Sequence, residues 1–156
     1  MRPARSDHPV SGLIDLPPVW LAGFAALAFV AGRVLPVDST LQWVIGWPVI
    51  FSALVLMAAA AVQIVMRHST LHPHRDARAL VTGGAYLISR NPIYLADALL
   101  LAGLCLVFSA PYALPVLVPL FMLVLTRRFI LPEEARLAAR FPHDYAAYRA
   151  ETRRWI

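Results

Sequence analysis

The sequence predicts an all-α fold, a polytopic membrane helix bundle of about four transmembrane helices with a cytosolic C-terminal helical cap. Three observations predict it. Of the 156 residues, 60% are hydrophobic, and the mean hydropathy of +0.65 exceeds that of an ordinary soluble domain. The apolar residues fall into long runs almost free of charge, the signature of bilayer-spanning segments. All fourteen basic residues are arginine, and nearly all of them lie between or beside those runs. The thirteen prolines fit the same picture. Proline breaks a helix in water, but in a membrane bundle neighbouring groups satisfy the carbonyls it frees.

A span needs about 20 mostly apolar residues to cross roughly 30 Å of hydrocarbon. Residues 19–37 fit, with Arg33 near one end where it can snorkel. Residues 41–66 carry no charge and fit easily, and Pro36-Val37-Asp38-Ser39-Thr40 forms a turn-rich link between the two. Residues 67–92 are polar and arginine-containing, and make the one long extramembrane loop. The next run, Ile93 to Leu131, would reach about 58 Å as a single helix, nearly twice the bilayer core. Ser109-Ala110-Pro111 offers a turn, so the run reads as a hairpin of spans 93–109 and 111–131, the second kinked by Pro115 and Pro119. Residues 132–156 form the tail, and the whole chain makes one integral membrane domain.

Arginine placement orients the bundle. Arg2 and Arg5 precede the first span, Arg67, Arg75, Arg78 and Arg90 lie in the long loop, and more follow the fourth span, whereas the opposite face has only Arg33. By the positive-inside rule both termini and the loop are cytosolic, as expected of an inner (plasma) membrane protein; a bacterial one is implied only by the resemblance given below. Within the hairpin, Asp97 and Arg127/Arg128 each lie about one turn inside their spans. An intramembrane carboxylate is costly unless paired or near water, so a pair between Asp97 and one of these arginines is expected.

Other classes are excluded on similar grounds. The net charge of +5 reflects juxtamembrane arginines that attract lipid headgroups, not a nucleic-acid face. The single Cys105 sits inside an apolar run as a packing residue. Met1 to Pro18 lacks the compact apolar core of a cleavable signal peptide, so the first run is expected to remain as a span. His68, His72 and His74 have suggestive spacing, but Pro73 disrupts their shared face and no thiolate accompanies them; no metal is expected.

In the tail, Pro132 is suited to the first position of a helix, and Glu133-Glu134 place negative charge at its positive end. Leu137, Phe141, Tyr145 and Tyr148 then form an amphipathic stripe, broken by Pro142 into two short helices. Trp155-Ile156 suit the membrane interface, and Arg153-Arg154 read as a phosphate-facing pair.

Two motif segments flank the hairpin. Before it stand Leu80-Val81-Thr82-Gly83-Gly84-Ala85-Tyr86 and Ser89-Arg90-Asn91-Pro92-Ile93-Tyr94. After it come Glu133-Glu134-x-x-Leu137-x-x-x-Phe141-x-x-x-Tyr145-x-x-Tyr148 and Arg153-Arg154-Trp155-Ile156. In this order, around a membrane hairpin, they resemble the isoprenylcysteine carboxyl methyltransferase and phospholipid methyltransferase family of integral membrane enzymes, in a small bacterial-type form. The resemblance covers Leu80 to the C-terminus; the first two spans are similar only in being apolar. It implies that the two segments jointly enclose S-adenosylmethionine, with Leu80, Val81, Tyr86, Asn91, Pro92, Tyr94 and Glu133 as cofactor contacts and Arg78 and Ala79 adjacent. The acceptor would be a lipid or other lipophilic molecule reached from the bilayer. Glu134, Arg128 and Asp97 are the expected catalytic side chains, Glu134 or Asp97 taking the proton of an amine acceptor. Three departures stand out: Asn91-Pro92 replaces a common His-Pro, Ala96 stands where glycine is common, and Phe129 occupies the position of a substrate-linked arginine in prenylcysteine enzymes, with Arg127 and Arg128 beside it. The last argues against a prenylcysteine carboxylate as substrate.

The chemistry is compatible. Tyr86 and Tyr94 can wall an adenine or meet a sulfonium through cation–π contact, and Glu133 can accept from ribose hydroxyls or an ammonium. Methyl transfer needs alignment and water exclusion more than strong acid–base groups. A soluble Rossmann-type methyltransferase is excluded by the lack of a glycine-rich strand–helix turn. A non-catalytic membrane scaffold and a small transporter using Asp97 are the alternatives; the double-glutamate helix and the Asn91-Pro92 turn favour the enzyme.

Overall fold

The computed structural model describes residues 16–66 and 80–156, so Arg78, Ala79 and the three histidines of 67–79 lie outside the described residues. Among the described residues the structure is entirely helical. Helix α1 spans Pro17–Val34, α2 Thr40–Met66, the one-turn α3 Ala85–Ile88, and α4 Pro92–Val107. A 3₁₀ turn, Pro111–Ala113, leads into α5, Leu114–Leu125, then a π turn, Thr126–Ile130, and α6, Leu131–Arg140; α7 is Pro142–Glu151. The runs Pro17–Val34, Thr40–Met66 and Pro111–Arg140 are long and apolar enough to cross a membrane. Helix α4, with 16 residues, covers about 24 Å, slightly less than a bilayer core.

Helix α4 is the central element. It packs along α2, and also on α1, α3 and α5. Its buried residues include Tyr94, Leu95, Ala96, Asp97, Ala98, Leu101, Gly103 and Cys105, whereas α2 exposes Trp43, Trp47, Phe51 and Val62, as a lipid-facing helix does. Phe24 and Ala28 of α1 meet Tyr94, Leu101 and Cys105 of α4 and Phe121, Leu125, Phe129 and Ile130 of the last long helix in one core. Cys105 is fully buried there and unpaired with any thiol, as its setting implied.

Small residues set the α2–α4 distance. A Cβ on Gly103 would sit 3.1 Å from the Gly46 carbonyl oxygen and the Ile50 backbone nitrogen. Backbone cannot swing aside as a side chain can, so only separation of the helices would admit it. This is small-residue packing of the kind membrane helices use in place of a hydrophobic driving force. Gly103→Leu is expected to cost roughly 1–3 kcal/mol or more through overpacking, read as a lowered thermal midpoint in detergent. Gly23→Ala, where an added Cβ meets nothing within 4 Å, serves as the neutral or mildly stabilising control.

The two ends of the bundle differ. At one end the chain reverses after α4 at Ser109, which has a φ of 62°, and the Val37 N–H donates to the Ser109 carbonyl at 2.9 Å. Buried Gln42 donates to the Val37 carbonyl and the Ser109 hydroxyl, and the Tyr112 hydroxyl to the Ala31 carbonyl at 2.7 Å. The opposite end carries the starts of α1 and α4, the end of α2, and the cap formed by α6 and α7.

Pro132 stands in the first turn of α6 together with Glu133 and Glu134, where its missing N–H is tolerated, and α6 follows the π turn directly. One expectation needs correction: Asp97 forms no ion pair with Arg127 or Arg128. Arg128 lies instead over the Trp20 ring of α1, 5.4 Å from its centroid.

Candidate active site

The segment before α4 is built by backbone constraints. Gly84 adopts φ 60°, ψ −120°, which favours glycine, and its Cα lies so close to the Gln63 side-chain amide that a Cβ would overlap it. Gln63 accepts a hydrogen bond from the Ala85 N–H at 3.1 Å, tying α3 to the last turn of α2. Asn91 stands at the N-cap of α4 with Pro92 following, yet its side chain makes no cap. Its amide donates instead to the Arg154 carbonyl at 3.1 Å.

That bond is one of a set joining the segment to the tail. The Ser89 hydroxyl also donates to the Arg154 carbonyl, at 3.0 Å, the Arg90 N–H to the Arg153 carbonyl at 2.9 Å, and the Tyr148 hydroxyl to the Tyr86 carbonyl at 2.6 Å. Arg90 is the hub. Its guanidinium reaches the Thr152 carbonyl at 2.6 Å, the Arg149 carbonyl at 3.3 Å and Glu134 at 3.0 Å. Glu134 in turn holds Arg154 through both oxygens, at 3.0 and 2.7 Å. Arg154 is therefore an internal ion-pair partner, where the sequence suggested a phosphate-facing one.

The electrostatics of this cluster have a pH consequence. Burial raises the Glu134 carboxyl, but hydrogen bonds and charge from Arg154 and Arg90 outweigh it and hold the group below its ordinary value of 4.5. A carboxyl depressed in the folded state adds stability that is complete above its unfolded pKa and is lost as pH falls through the folded one. The docking of the tail is expected to be insensitive to pH above about 5 and to weaken progressively below pH 4.5. Melting curves of wild type and Glu134→Gln, converging as pH drops, would check this.

Between the cap and the bundle lies a cavity of about 400 Å³. Leu16, Pro17 and Pro18 of the α1 start and Met57, Ala61 and Ile64 of α2 form its apolar walls; Tyr86, Arg90, Asn91, Pro92, Ile93, Tyr94, Asp97 and Glu133 line the rest. The Tyr94 hydroxyl donates to Glu133 Oε2 at 3.1 Å, joining α4 to α6, and its ring stacks on Phe129 with centroids 6.3 Å apart. Burial, then the negative charge of Glu133, raise the Tyr86 phenol well above its ordinary value, so it stays a neutral aromatic donor.

Of the residues singled out by sequence, the cavity gathers Tyr86, Asn91, Pro92, Tyr94, Asp97 and Glu133. It does not include Leu80 and Val81, which are half-buried nearby in the chain, nor Glu134, which is held in the arginine cluster, nor Arg128, which lies on Trp20. Arg90 and the α1 and α2 walls were missed. Arg90 carried a signal, its place directly before Asn91-Pro92; the apolar walls carried none, because α2 is hydrophobic around its whole circumference. Among the described residues no group of His, Cys, Asp and Glu is arranged to hold a metal ion.

No curated protein and no solved structure matches the chain. A family match does exist, and it covers residues 41–143, about two thirds of the chain. It takes in α2, which the motifs alone did not reach, both long helices of the hairpin and the double-glutamate helix, and so runs through most of the cavity wall. With apolar helices suited to a bilayer and this match together, the chain belongs to the phospholipid methyltransferase family of membrane proteins.

Proposed function

We propose that the protein transfers a methyl group from S-adenosylmethionine to a lipophilic, membrane-associated acceptor at the cytosolic face of the bilayer. The observation that carries this reading is the single cavity collecting Tyr86, Asn91, Tyr94 and Glu133 from segments some forty residues apart. Its volume falls within the roughly 300–1,000 Å³ of ligand pockets, and its lining combines aromatic rings, a carboxylate and apolar walls, as a sulfonium nucleoside requires. Glu133 would accept from the ribose or ammonium, Tyr86 and Tyr94 would flank the sulfonium or adenine, and Asn91 and Pro92 would fix the edge of the site. Bound there, the cofactor supplies a methyl carbon already activated for in-line displacement.

The chain's own contribution is positioning and exclusion of water. Tyr94, fixed by Glu133 and Phe129, holds the α4 wall against the cap, and the tail closes over the segment 85–92 through the Arg90 cluster. Glu134, whose two oxygens are taken by arginines, acts as an organiser of that closure in place of the base the sequence suggested. Arginines at the cap end, against Arg33 at the other, support the cytosolic orientation. Calorimetric titration of the detergent-solubilised protein with S-adenosylhomocysteine tests the reading: saturable heat at one site is expected, and none would favour a non-catalytic scaffold.

A further inference from the structure

Gln63 is the only hydrogen-bonding side chain on α2 after Ser52, and it lies within one turn of the end of that helix nearest the cap. A glutamine on an apolar spanning helix is costly unless its amide is satisfied. Its partner is the one-turn helix α3: the Ala85 N–H donates to Gln63 Oε1 at 3.1 Å. The first N–H groups of a helix have no acceptor within it, and a side chain at the N-cap commonly supplies one. In α3 the N-cap is Gly84, which makes no side-chain cap, so α2 supplies the cap from outside the segment. The fit is close. Gly84 takes φ 60° and ψ −120°, and a Cβ there would overlap the Gln63 amide nitrogen, so the glycine leaves open the space that the amide fills. Four residues of helix are unstable on their own, and α3 depends on such outside bonds.

The contribution of α3 to the cavity is one residue. Tyr86 lines it, whereas Leu87 and Ile88 are exposed. The backbone at Tyr86 is held on both sides, by Gln63 through the preceding N–H and by the Tyr148 hydroxyl, which donates to the Tyr86 carbonyl at 2.6 Å. Gln63 itself is not on the cavity wall, while Ala61 and Ile64 beside it are. The clamp thus fixes the aromatic wall of the cavity against its apolar wall on α2. Resting on the methyl-transfer reading, we infer that Gln63 is a positioning residue, which caps α3 from α2 and so holds the Tyr86 ring where the methyl donor binds. Without the clamp, α3 occupies its placed conformation for only part of the time, and apparent donor affinity falls by that fraction. The effect reaches the ligand through Tyr86, which distinguishes it from a general loss of stability.

The test is a double-mutant cycle read by calorimetric titration of the full chain with S-adenosylhomocysteine. Gln63→Met keeps the side-chain length and loses the acceptor. In the otherwise wild-type chain it is expected to weaken binding about 10-fold, as the loss of one hydrogen bond does. With Tyr86→Ala already in place the same change should cost less than about twofold. Gln63→Glu keeps an acceptor for the Ala85 N–H and should recover most of the affinity. Hydrogen exchange without ligand gives an independent reading: the Ala85 amide should exchange about 10-fold faster in Gln63→Met, with α4 unchanged. Should Gln63→Met fail to fold, Gly84→Ala displaces the same amide from the other side and should show the same dependence on Tyr86. Equal costs in the two backgrounds, wild-type affinity in Gln63→Met, an unaltered Ala85 exchange rate, or a Gln63→Glu no better than methionine would each overturn the inference. Wild-type protein that binds no S-adenosylhomocysteine would instead sink the methyl-transfer reading on which it rests.

Discussion

Arg90→Leu is expected to release the C-terminal cap from the bundle and destroy the cavity while leaving the spanning helices intact. The Arg90 side chain is 8% exposed and Glu134, its partner, 11%. Leucine fills much of the volume but makes none of the bonds to Glu134, Thr152 and Arg149. Glu134 would retain Arg154, half of its compensation, and the Thr152 and Arg149 carbonyls would lose this donor. Removing one partner of a buried charged pair costs about 3–5 kcal/mol where the remaining charge is left uncompensated, and with Arg154 still on Glu134 the cost falls toward the lower end of that range. That is comparable with the whole stability available to a two-helix cap, so the cap should undock. Hydrogen exchange over residues 142–152 reads the effect directly: protection should fall by orders of magnitude there and hold in α2 and α4. Arg90→Lys should fall between, since an ammonium cannot reproduce a guanidinium fork that serves a carboxylate and two carbonyls at once. Unchanged protection in Arg90→Leu would mean that the hydrogen bonds of Ser89 and Asn91 to Arg154 suffice to dock the tail.

The reach of sequence reasoning is clearest around this cluster. The apolar runs, the reversal near Ser109 and the motif segments were legible because each is written in local composition. The convergence of Tyr86, Asn91, Tyr94 and Glu133 was available only through family resemblance, since nothing local says which parts of a bundle meet. Arg154 illustrates what was out of reach. It lies twenty residues from Glu134, and their contact depends on the break at Phe141 and the extended Thr152, which together fold α7 back. The Asp97–Arg128 pair failed for a different reason. Depth along two antiparallel helices can be counted from sequence, but azimuth cannot, and the π turn at Thr126–Ile130 alters azimuth where it mattered. The same distinction separates the two neighbouring glutamates. Adjacent helical residues point about 100° apart, so one faces the cavity and the other the arginines, although the sequence writes them as a single acidic pair.

That divergence predicts opposite phenotypes for two substitutions one residue apart. Glu133→Ala removes the carboxylate that the cavity presents beside Tyr94. A hydrogen bond to a charged group is worth about 1.5–3 kcal/mol, so affinity for S-adenosylhomocysteine should fall by about 10- to 100-fold with little change in melting. Glu134→Ala strips the counter-charge from Arg90 and Arg154 and should lower the thermal midpoint strongly, with ligand affinity lost only as the cap undocks. Titration calorimetry and melting curves on both variants separate the cases, and Glu133→Gln adds a further constraint. If Glu133 acts by charge, glutamine recovers little; if it acts only by bracing Tyr94, glutamine accepts the same hydroxyl and restores most of the affinity. Wild-type affinity in Glu133→Ala would remove Glu133 from the ligand site, and the cavity's remaining carboxylate, Asp97, would then have to account for the recognition of any cationic ligand.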